Sequence, residues 1–142
     1  MESENTKDFD RTIATFARPR YELMATDDVF EGEAEVRAYH ARSRGDVPDQ
    51  RNENSVLRST DDGVVVEFDL LGTHAVLGTT FRSSMVALFL FEDGGDRFMC
   101  ERAYFDTASI RQQLLGGAPG ASSIRDSGAA GWRDFADTDR DR

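Results

Sequence analysis

Three long segments of alternating side chains, separated by short turns, place the strongest constraint on the fold. They are VVVEFDLLGTH (64–74), TTFRSSMVALFLFE (79–92) and RFMCERAYFD (97–106). Alternation of apolar and polar residues over this length predicts strands with one buried face. The dipeptide Asp62-Gly63 joins the first segment to SVLRST (55–60) and predicts a two-residue hairpin turn with positive φ at both positions. We therefore expect an antiparallel meander of long strands.

Shorter elements precede this meander and a helix follows it. The residue pattern predicts a short helix in DRTIATFA (10–17), two short strands in RYELMATDDVFEG (20–32), a helix in EAEVRAYHAR (33–42) that ends at Gly45 and Pro48, and a last helix in TASIRQQLL (107–115). Helices followed by a strand meander indicate an α+β fold, with helices packed on one face of a curved antiparallel sheet. A bent sheet covered by helices encloses a conical cavity, and a ligand would bind there.

The composition changes at residue 118. From that point the chain is rich in Gly, Ala, Ser and Asp and poor in large apolar residues. Such a segment buries too little apolar surface to offset the entropy of ordering it. We expect one α+β domain over residues 1–117, followed by an acidic, disordered tail over residues 118–142.

The chain is strongly acidic, with a net charge of −10 and a pI of about 4.6. This charge excludes a nucleic-acid backbone as the expected partner. Lys7 is the single lysine beside 16 arginines. An acidic surface depleted in lysine is typical of proteins kept soluble in high salt, and we predict a halophilic protein. A GC-rich genome would also exchange lysine for arginine.

The sequence lacks the residues that several kinds of chemistry require. Cys100 is the lone cysteine, and His40 and His74 are the two histidines, so no zinc-site spacing exists and no metal or other cofactor is expected. The sequence has no P-loop, no G-x-S-x-G elbow and no G-x-G-x-x-G after a strand. No segment is long and apolar enough to span a bilayer, and residues 1–10 have no signal-peptide pattern. A cytoplasmic protein without a membrane partner is expected.

Several landmarks together resemble a known family. They are PRYEL (19–23), TDDVFEGEAEVRAYHA (26–41), PDQRNE (48–53), VVVEFDLLGTH (64–74) and ERAYFDTASIRQQLLG (101–116). Over roughly residues 8–116 the chain resembles the SnoaL-like branch of the NTF2-like superfamily, named for polyketide cyclases and also labelled ester cyclase. The resemblance implies an α+β cone, commonly dimeric, with an apolar pocket between sheet and helices. It also implies metal-free acid/base chemistry, in which an aspartate at the end of the last strand exchanges a proton during ring closure.

Asp106 matches that aspartate, and the residues allow two interpretations of it. As the N-cap of the last helix, its carboxylate would accept backbone N–H bonds that stabilise the anion. In strand phase it instead shares a face with Arg102 and Tyr104, and if that face lines the cone, an apolar cavity would favour the protonated acid. The second interpretation suits proton transfer next to a carbonyl group.

The remaining candidate residues lie around Asp106 or along the cone. His74 matches the G-T-H landmark and is in phase with Phe68, so it would orient Asp106, polarise a substrate carbonyl, or serve as a satisfied core or rim histidine. Tyr39, Tyr104, Arg102 and Phe68 are the predicted substrate-binding residues. Arg102 could equally pair with an acid in a structural bridge. In two places the sequence departs from the family, since little chain precedes Asp8 and the AVLGTT loop (75–80) is short, so we expect a weaker roof over the pocket.

These observations predict a small-molecule pocket protein. Its partner would be a small apolar or carbonyl-containing molecule, and the outer face of the sheet would form a homodimer. The first hypothesis is a cofactor-free cyclase, isomerase or hydrolase with Asp106 as general acid/base. The alternative is a non-catalytic ligand-binding or dimerisation module, because this scaffold supports many functions.

Overall fold

The computed structural model describes residues 1–116, and the predicted tail over 118–142 lies outside these described residues. The helices are α1 (Glu2–Asn5), α2 (Phe9–Ala14), α3 (Glu33–Asp46) and α4 (Thr107–Leu114). The strands are β1 (Arg20–Leu23), β2 (Asp28–Glu31), β3 (Arg51–Ser59), β4 (Gly63–Thr73), β5 (Thr80–Phe91) and β6 (Phe98–Phe105). The predicted α+β cone with a curved sheet is confirmed.

The six described strands form one sheet in the order β2-β1-β6-β5-β4-β3. Strands β3 to β6 are the predicted antiparallel meander, but β1 runs parallel to β6. The sheet is therefore mixed, not wholly antiparallel. Parallel neighbours need a long connection between them, and the chain from β2 to β5 supplies it.

The predicted hairpin at Asp62-Gly63 forms between β3 and β4, but its turn geometry differs from the prediction. The Thr60 N–H donates to the Gly63 carbonyl at 2.9 Å, and neither Asp62 nor Gly63 takes positive φ. A Cβ at Gly63 would lie 2.2 Å from the Phe89 carbonyl oxygen. Glycine is needed here because β5 approaches closely, and not because of its left-handed freedom.

Other element boundaries also differ from the prediction, among them the end of α2, which lies at Ala14 and not at residue 17. Helix α3 continues through Gly45 to Asp46, so Pro48 follows its end while Gly45 lies inside its last turn. Strand β3 begins four residues earlier than expected, at Arg51, and its pairing with β4 shifts at a bulge where Asn54 has a φ of 54°. Such a bulge bends the strand and adds to the curvature of the sheet.

Two groups of buried side chains form the core between the helices and the inner face of the sheet. One consists of Ile13, Phe16, Tyr21 and Val36, and the other of Val66, Phe68, Ala87 and Phe89. Phe98 packs against both groups. Within the described residues, no helix is both long and apolar enough to cross a membrane. The inner face leaves an unfilled space beside α3, where the candidate site lies.

Candidate functional site

A cavity of about 300 Å³ lies between the inner face of the sheet and α3. Its sheet side is largely apolar and includes Leu23, Phe68, Leu70, Met85, Ala103 and Phe105. Its other walls carry polar groups, among them Glu4, Tyr39, His40, Arg44, Asn52 and Glu101. The volume is at the lower end of the roughly 300–1,000 Å³ of ligand pockets, so the space suits a small molecule.

A pair of buried carboxyl groups is the main polar feature of this cavity. Glu101 is 7% exposed and Glu4 is 9% exposed. The Tyr21 hydroxyl donates to Glu4 Oε1 at 3.1 Å, and Asn52 Nδ2 donates to Glu4 Oε2 at 3.1 Å. Burial, followed by the nearby negative charge of Glu4, raises the pKa of Glu101 to about 8. Glu101 therefore carries a proton at neutral pH and can donate it.

His40 lies on the helix side of the same cavity, in the middle of α3. The residue is 4% exposed, and its ring stacks on Phe9 with a centroid distance of 4.7 Å, while Tyr21 meets the ring edge-on at 5.2 Å. Burial lowers the pKa of His40. The imidazole is therefore neutral at pH 7 and able to accept a proton.

Buried polar atoms without a hydrogen-bond partner are concentrated at this cavity. Among the residues that the structure describes, such side-chain atoms are His40 Nε2, Arg44 Nε, Asn52 Oδ1 and Glu101 Oε2. All four residues line the cavity. Buried polar groups in folded proteins are nearly always satisfied, and each exception costs stability. Four such residues around one cavity leave hydrogen-bonding groups that a bound small molecule would satisfy.

Two of the residues predicted from sequence, Tyr39 and Phe68, line the cavity. Tyr39 stacks on Phe30 with a centroid distance of 4.7 Å and also contacts the ring of Tyr21. Phe68 is 5% exposed on β4, directly opposite Met85 of β5. Both therefore help to shape the apolar part of the space.

Asp106, Arg102 and Tyr104 lie away from the cavity. The Asp106 side chain is exposed and accepts the Ser109 N–H at 2.9 Å as the N-cap of α4. Arg102 forms an ion pair with Glu22. Tyr104 is 44% exposed. The face of β6 that would line the cone in the second interpretation of Asp106 therefore does not line this cavity.

The reason for this difference is the phase of β6. Its cavity-lining residues are Glu101, Ala103 and Phe105, which alternate with the predicted set. A one-residue error in strand phase exchanges the two faces completely. Cys100, on the predicted face, is also buried, so burial does not distinguish the two faces of β6 at this point.

His74 has a local structural contact in the loop between β4 and β5. Its Nδ1 accepts the backbone N–H groups of Val76 at 3.2 Å and Leu77 at 3.3 Å. This is the geometry of a side chain that caps a turn. His74 is not part of the cavity wall, so the structure does not bring it together with Asp106 around a substrate.

Sequence reasoning missed Glu101, Glu4 and Tyr21 as site residues. A signal existed for Glu101, since an acid that alternates with Ala103 and Phe105 on one strand face is exceptional. Nothing in the local pattern singled out Glu4, because its position depends on how α1 packs against α2 and β3. Within the described part of the chain, no three His, Cys, Asp or Glu side chains are grouped so as to hold a metal ion.

Comparison with known proteins assigns this chain to a family. The model of the SnoaL-like domain matches residues 1–96, which end in the turn between β5 and β6. No curated protein matches the sequence.

Solved structures with the same fold are numerous. A hypothetical protein with a ketosteroid isomerase-like fold from Catenulispora acidiphila, in complex with trimethylamine, has a TM-score of 0.72 and 16% identity, over 84% of this chain and 91% of that one. An NTF2-like protein of unknown function from Burkholderia pseudomallei has a TM-score of 0.70 and 19% identity, over 80% and 89%. A phenazine biosynthesis-related protein from Pseudomonas aeruginosa has a TM-score of 0.65 and 18% identity, over 84% and 86%. These likenesses establish the fold, and with the match over residues 1–96 the chain belongs to the SnoaL-like domain family.

Proposed function

We propose that this protein binds a small carbonyl compound in the cavity and catalyses a cofactor-free proton transfer of the isomerase or cyclase type. His40 would act as the base and Glu101 as the acid. The observation that carries this proposal is the concentration of buried, unpartnered polar atoms at one apolar cavity. Asp106 is not given this role, because its carboxylate is exposed and caps α4.

The proposed chemistry uses the two protonation states that burial favours. Neutral His40 accepts the proton of a C–H bond next to the substrate carbonyl through Nε2, in the tautomer that carries its own proton on Nδ1. The electron pair of that bond moves towards the carbonyl oxygen, where the protonated Glu101 donates a hydrogen bond to the developing enolate. Return of the proton to another carbon gives an isomer, and attack of the enolate carbon on a second carbonyl gives a ring.

The surroundings support this division of roles. The cavity wall is mainly apolar, and removal of water strengthens the hydrogen bond from Glu101 to a charged oxygen. Phe9 and Tyr21 hold the His40 ring by stacking and edge contact, which fixes its orientation without a charged partner. The Tyr21 hydroxyl lies between the two carboxyl groups and keeps Glu4 satisfied.

The second candidate is a binding module without turnover. The Catenulispora protein of the same fold was crystallised with trimethylamine. A cavity with Glu4 and Glu101 beside the ring of Tyr39 offers carboxylates and an aromatic face, the groups that bind small amine cations. An amine would hold Glu101 in its ionised form and so lower its pKa, whereas a carbonyl ligand favours the protonated form.

Deuterium exchange tests the first candidate with simple model carbonyl compounds in place of the natural substrate. The protein is incubated in D2O with a panel of small ketones and 1,3-dicarbonyl compounds, and loss of the C–H signal next to the carbonyl is followed by NMR. His40→Phe keeps the ring stacking and removes the base, so the accelerated exchange should fall at least about 100-fold. Glu101→Gln keeps an N–H donor and should lose less than Glu101→Met, which removes the donor.

Asp106→Asn, which preserves a helix cap, is the control for this experiment and should exchange at the wild-type rate. Equal rates in wild type and His40→Phe would refute the catalytic proposal. Trimethylamine binding that lowers the pKa of Glu101 would support the binding module.

A further inference from the structure

Arg44 is a cation in the cavity wall that lacks an anionic partner. It lies in the last turn of α3, and its Nε is buried without a hydrogen-bond acceptor. One guanidinium nitrogen, Nη2, reaches the Glu4 backbone carbonyl at 3.5 Å, which is a long contact. The guanidinium carbon lies 5.6 Å from the centroid of the Phe9 ring. Among the described residues, this long contact is the one acceptor that its five N–H donors reach.

The other arginines in the described part of the chain behave differently. Those that form an ion pair with a carboxylate are Arg18, Arg20, Arg37, Arg51, Arg58, Arg82 and Arg102. Those without one, apart from Arg44, are Arg11, Arg42, Arg97 and Arg111, and each is exposed to solvent. Among the described residues Arg44 alone combines partial burial with the absence of an ion pair. Water hydrates the charge of the exposed arginines, but it hydrates that of Arg44 less, because Arg44 is partly buried.

The nearby carboxylate of Glu4 does not serve as the anionic partner of Arg44. Both oxygens of Glu4 already accept hydrogen bonds, from Tyr21 and Asn52. No carboxylate oxygen of the described residues lies within ion-pair distance of Arg44, although the charge of Glu4 acts on it from farther away. A partly buried guanidinium with free donors is a suitable receptor for a carboxylate, because its planar fork matches the two oxygens.

The position of Arg44 relative to the acid/base groups defines the class of ligand. His40 and Arg44 are four residues apart on α3, so they are neighbours on one helix face, about 5–6 Å apart at their Cβ atoms. Both line the cavity, as does Glu101 on the opposite wall. We propose that the ligand is an oxo acid, whose carboxylate binds Arg44 while its carbonyl group lies against Glu101 and His40. This inference rests on the proposed function for the carbonyl end, but the carboxylate end stands on Arg44 alone.

The test compares an acid with its own neutral ester. The probes are 4-oxo-4-phenylbutanoate and its methyl ester, and the dissociation constant of each is measured by calorimetry or by NMR titration at low salt. We expect the wild type to bind the acid at least tenfold more tightly than the ester. In Arg44→Met, which keeps the apolar stem, the acid should weaken to the affinity of the ester while the ester is unchanged. Arg111→Met, which changes an exposed arginine of α4 that forms no ion pair and does not line the cavity, is the control and should retain the preference.

Each outcome decides the inference. Equal affinities of acid and ester for the wild type, failure of the acid to bind at millimolar concentration, or an unchanged preference in Arg44→Met would overturn it. If Arg44→Met fails to fold, the wild-type comparison and Arg44→Lys, which should keep part of the preference, still decide it. The result is separable from the proposed function. A preference for the acid without hydrogen exchange refutes proton transfer and leaves the Arg44 site intact. Exchange on neutral ketones without a preference for the acid refutes the Arg44 site and leaves proton transfer intact.

Discussion

Tyr21 and Glu101 lie side by side on the inner face of the parallel β1–β6 pair, and the Tyr21 hydroxyl links Glu101 to a second buried carboxyl group, that of Glu4. Two acids on different elements thus share one phenol in an apolar setting. Ionising both would place like charges close together in a medium that screens them poorly. The free energy of this arrangement therefore depends on whether Glu101 is protonated.

Glu101 should make the protein less stable as the pH rises. Its pKa is raised from 4.5 to about 8 in the folded state, so between these values the folded protein holds a proton that the unfolded chain has lost. The folded state then binds more protons, and the free energy of unfolding must fall with increasing pH until about pH 8. Each unit of pKa difference corresponds to about 1.4 kcal/mol, so the total effect is several kcal/mol.

Glu101→Gln should remove this dependence. Its stability relative to wild type, measured by urea unfolding, should grow from pH 5 to pH 8 and then level off. Burial lowers the pKa of His40 from 6.5, so the free energy of unfolding also falls as the pH drops below 6.5. This effect is common to variant and wild type. The quantity to compare is therefore the difference in the free energy of unfolding between the two proteins at each pH. Glu22→Gln is the matched control, because the hydrogen bond from Arg102 lowers the pKa of Glu22 and its effect is confined to more acidic solution. A difference that does not change with pH would contradict the shifted pKa.

Removal of the Tyr21 hydroxyl should raise the pKa of Glu101 still further. The hydroxyl stabilises the ionised carboxyl group and so opposes the effect of burial. In Tyr21→Phe the side-chain carbon signal of labelled Glu101, followed by NMR, should titrate above its wild-type midpoint of about 8. Tyr39→Phe lines the same cavity and serves as the control, with an unchanged midpoint expected. A lower midpoint in Tyr21→Phe would mean that the phenol does not stabilise the anion.

Asp106 should matter for stability and not for turnover. Its carboxylate accepts the Ser109 N–H at the start of α4, and loss of such a cap to alanine typically costs about 1 kcal/mol. Asp106→Ala should therefore unfold at lower urea concentration, while Asp106→Asn, a comparable cap, should be close to wild type. Both variants should retain any proton-exchange activity. Loss of activity in a stable Asp106→Asn protein would return Asp106 to the catalytic role.

The contrast between Asp106 and Glu101 shows which features of the fold and of the candidate site are predictable from the sequence. The meander was predictable because turns separate long alternating segments, and the family landmarks agreed with the resulting cone. The cavity-facing side of β6 was not predictable, because the strand is buried on both faces around Cys100 and Glu101. The parallel pairing of β1 with β6 and the placement of Glu4 both depend on tertiary packing, for which no local pattern gives evidence.

The acidic composition leads to a prediction about salt. At a net charge of −10, like charges repel across the surface, and added salt shortens the range of this repulsion from about 10 Å at 0.1 M to about 3 Å at 1 M. We expect the melting temperature to rise between 0.1 M and 2 M KCl. Exposed ion pairs such as that of Arg58 with Glu67 weaken under the same conditions, but each contributes little. A melting temperature that is flat or falling with KCl would contradict the halophilic interpretation.

The outer face of the sheet should mediate a homodimer. Val86 of β5 and Tyr104 of β6 are directly paired in register, and both are partly exposed, at 38% and 44%. Leu88 follows on the same side of β5, so an apolar strip crosses the middle of this face. Stable interfaces bury about 800 Å² per partner, and a sheet face of long strands offers an area of that order.

Light scattering with size-exclusion chromatography checks this prediction. The wild type should have twice the chain mass, and Val86→Arg should be a monomer, because dimerisation would have to remove water from the charge of an arginine in the centre of the interface. Val76→Arg is the matched control, since Val76 is 87% exposed in the loop between β4 and β5 and its variant should remain dimeric. A monomeric wild type, or a dimeric Val86→Arg, would contradict dimerisation through the outer face of the sheet.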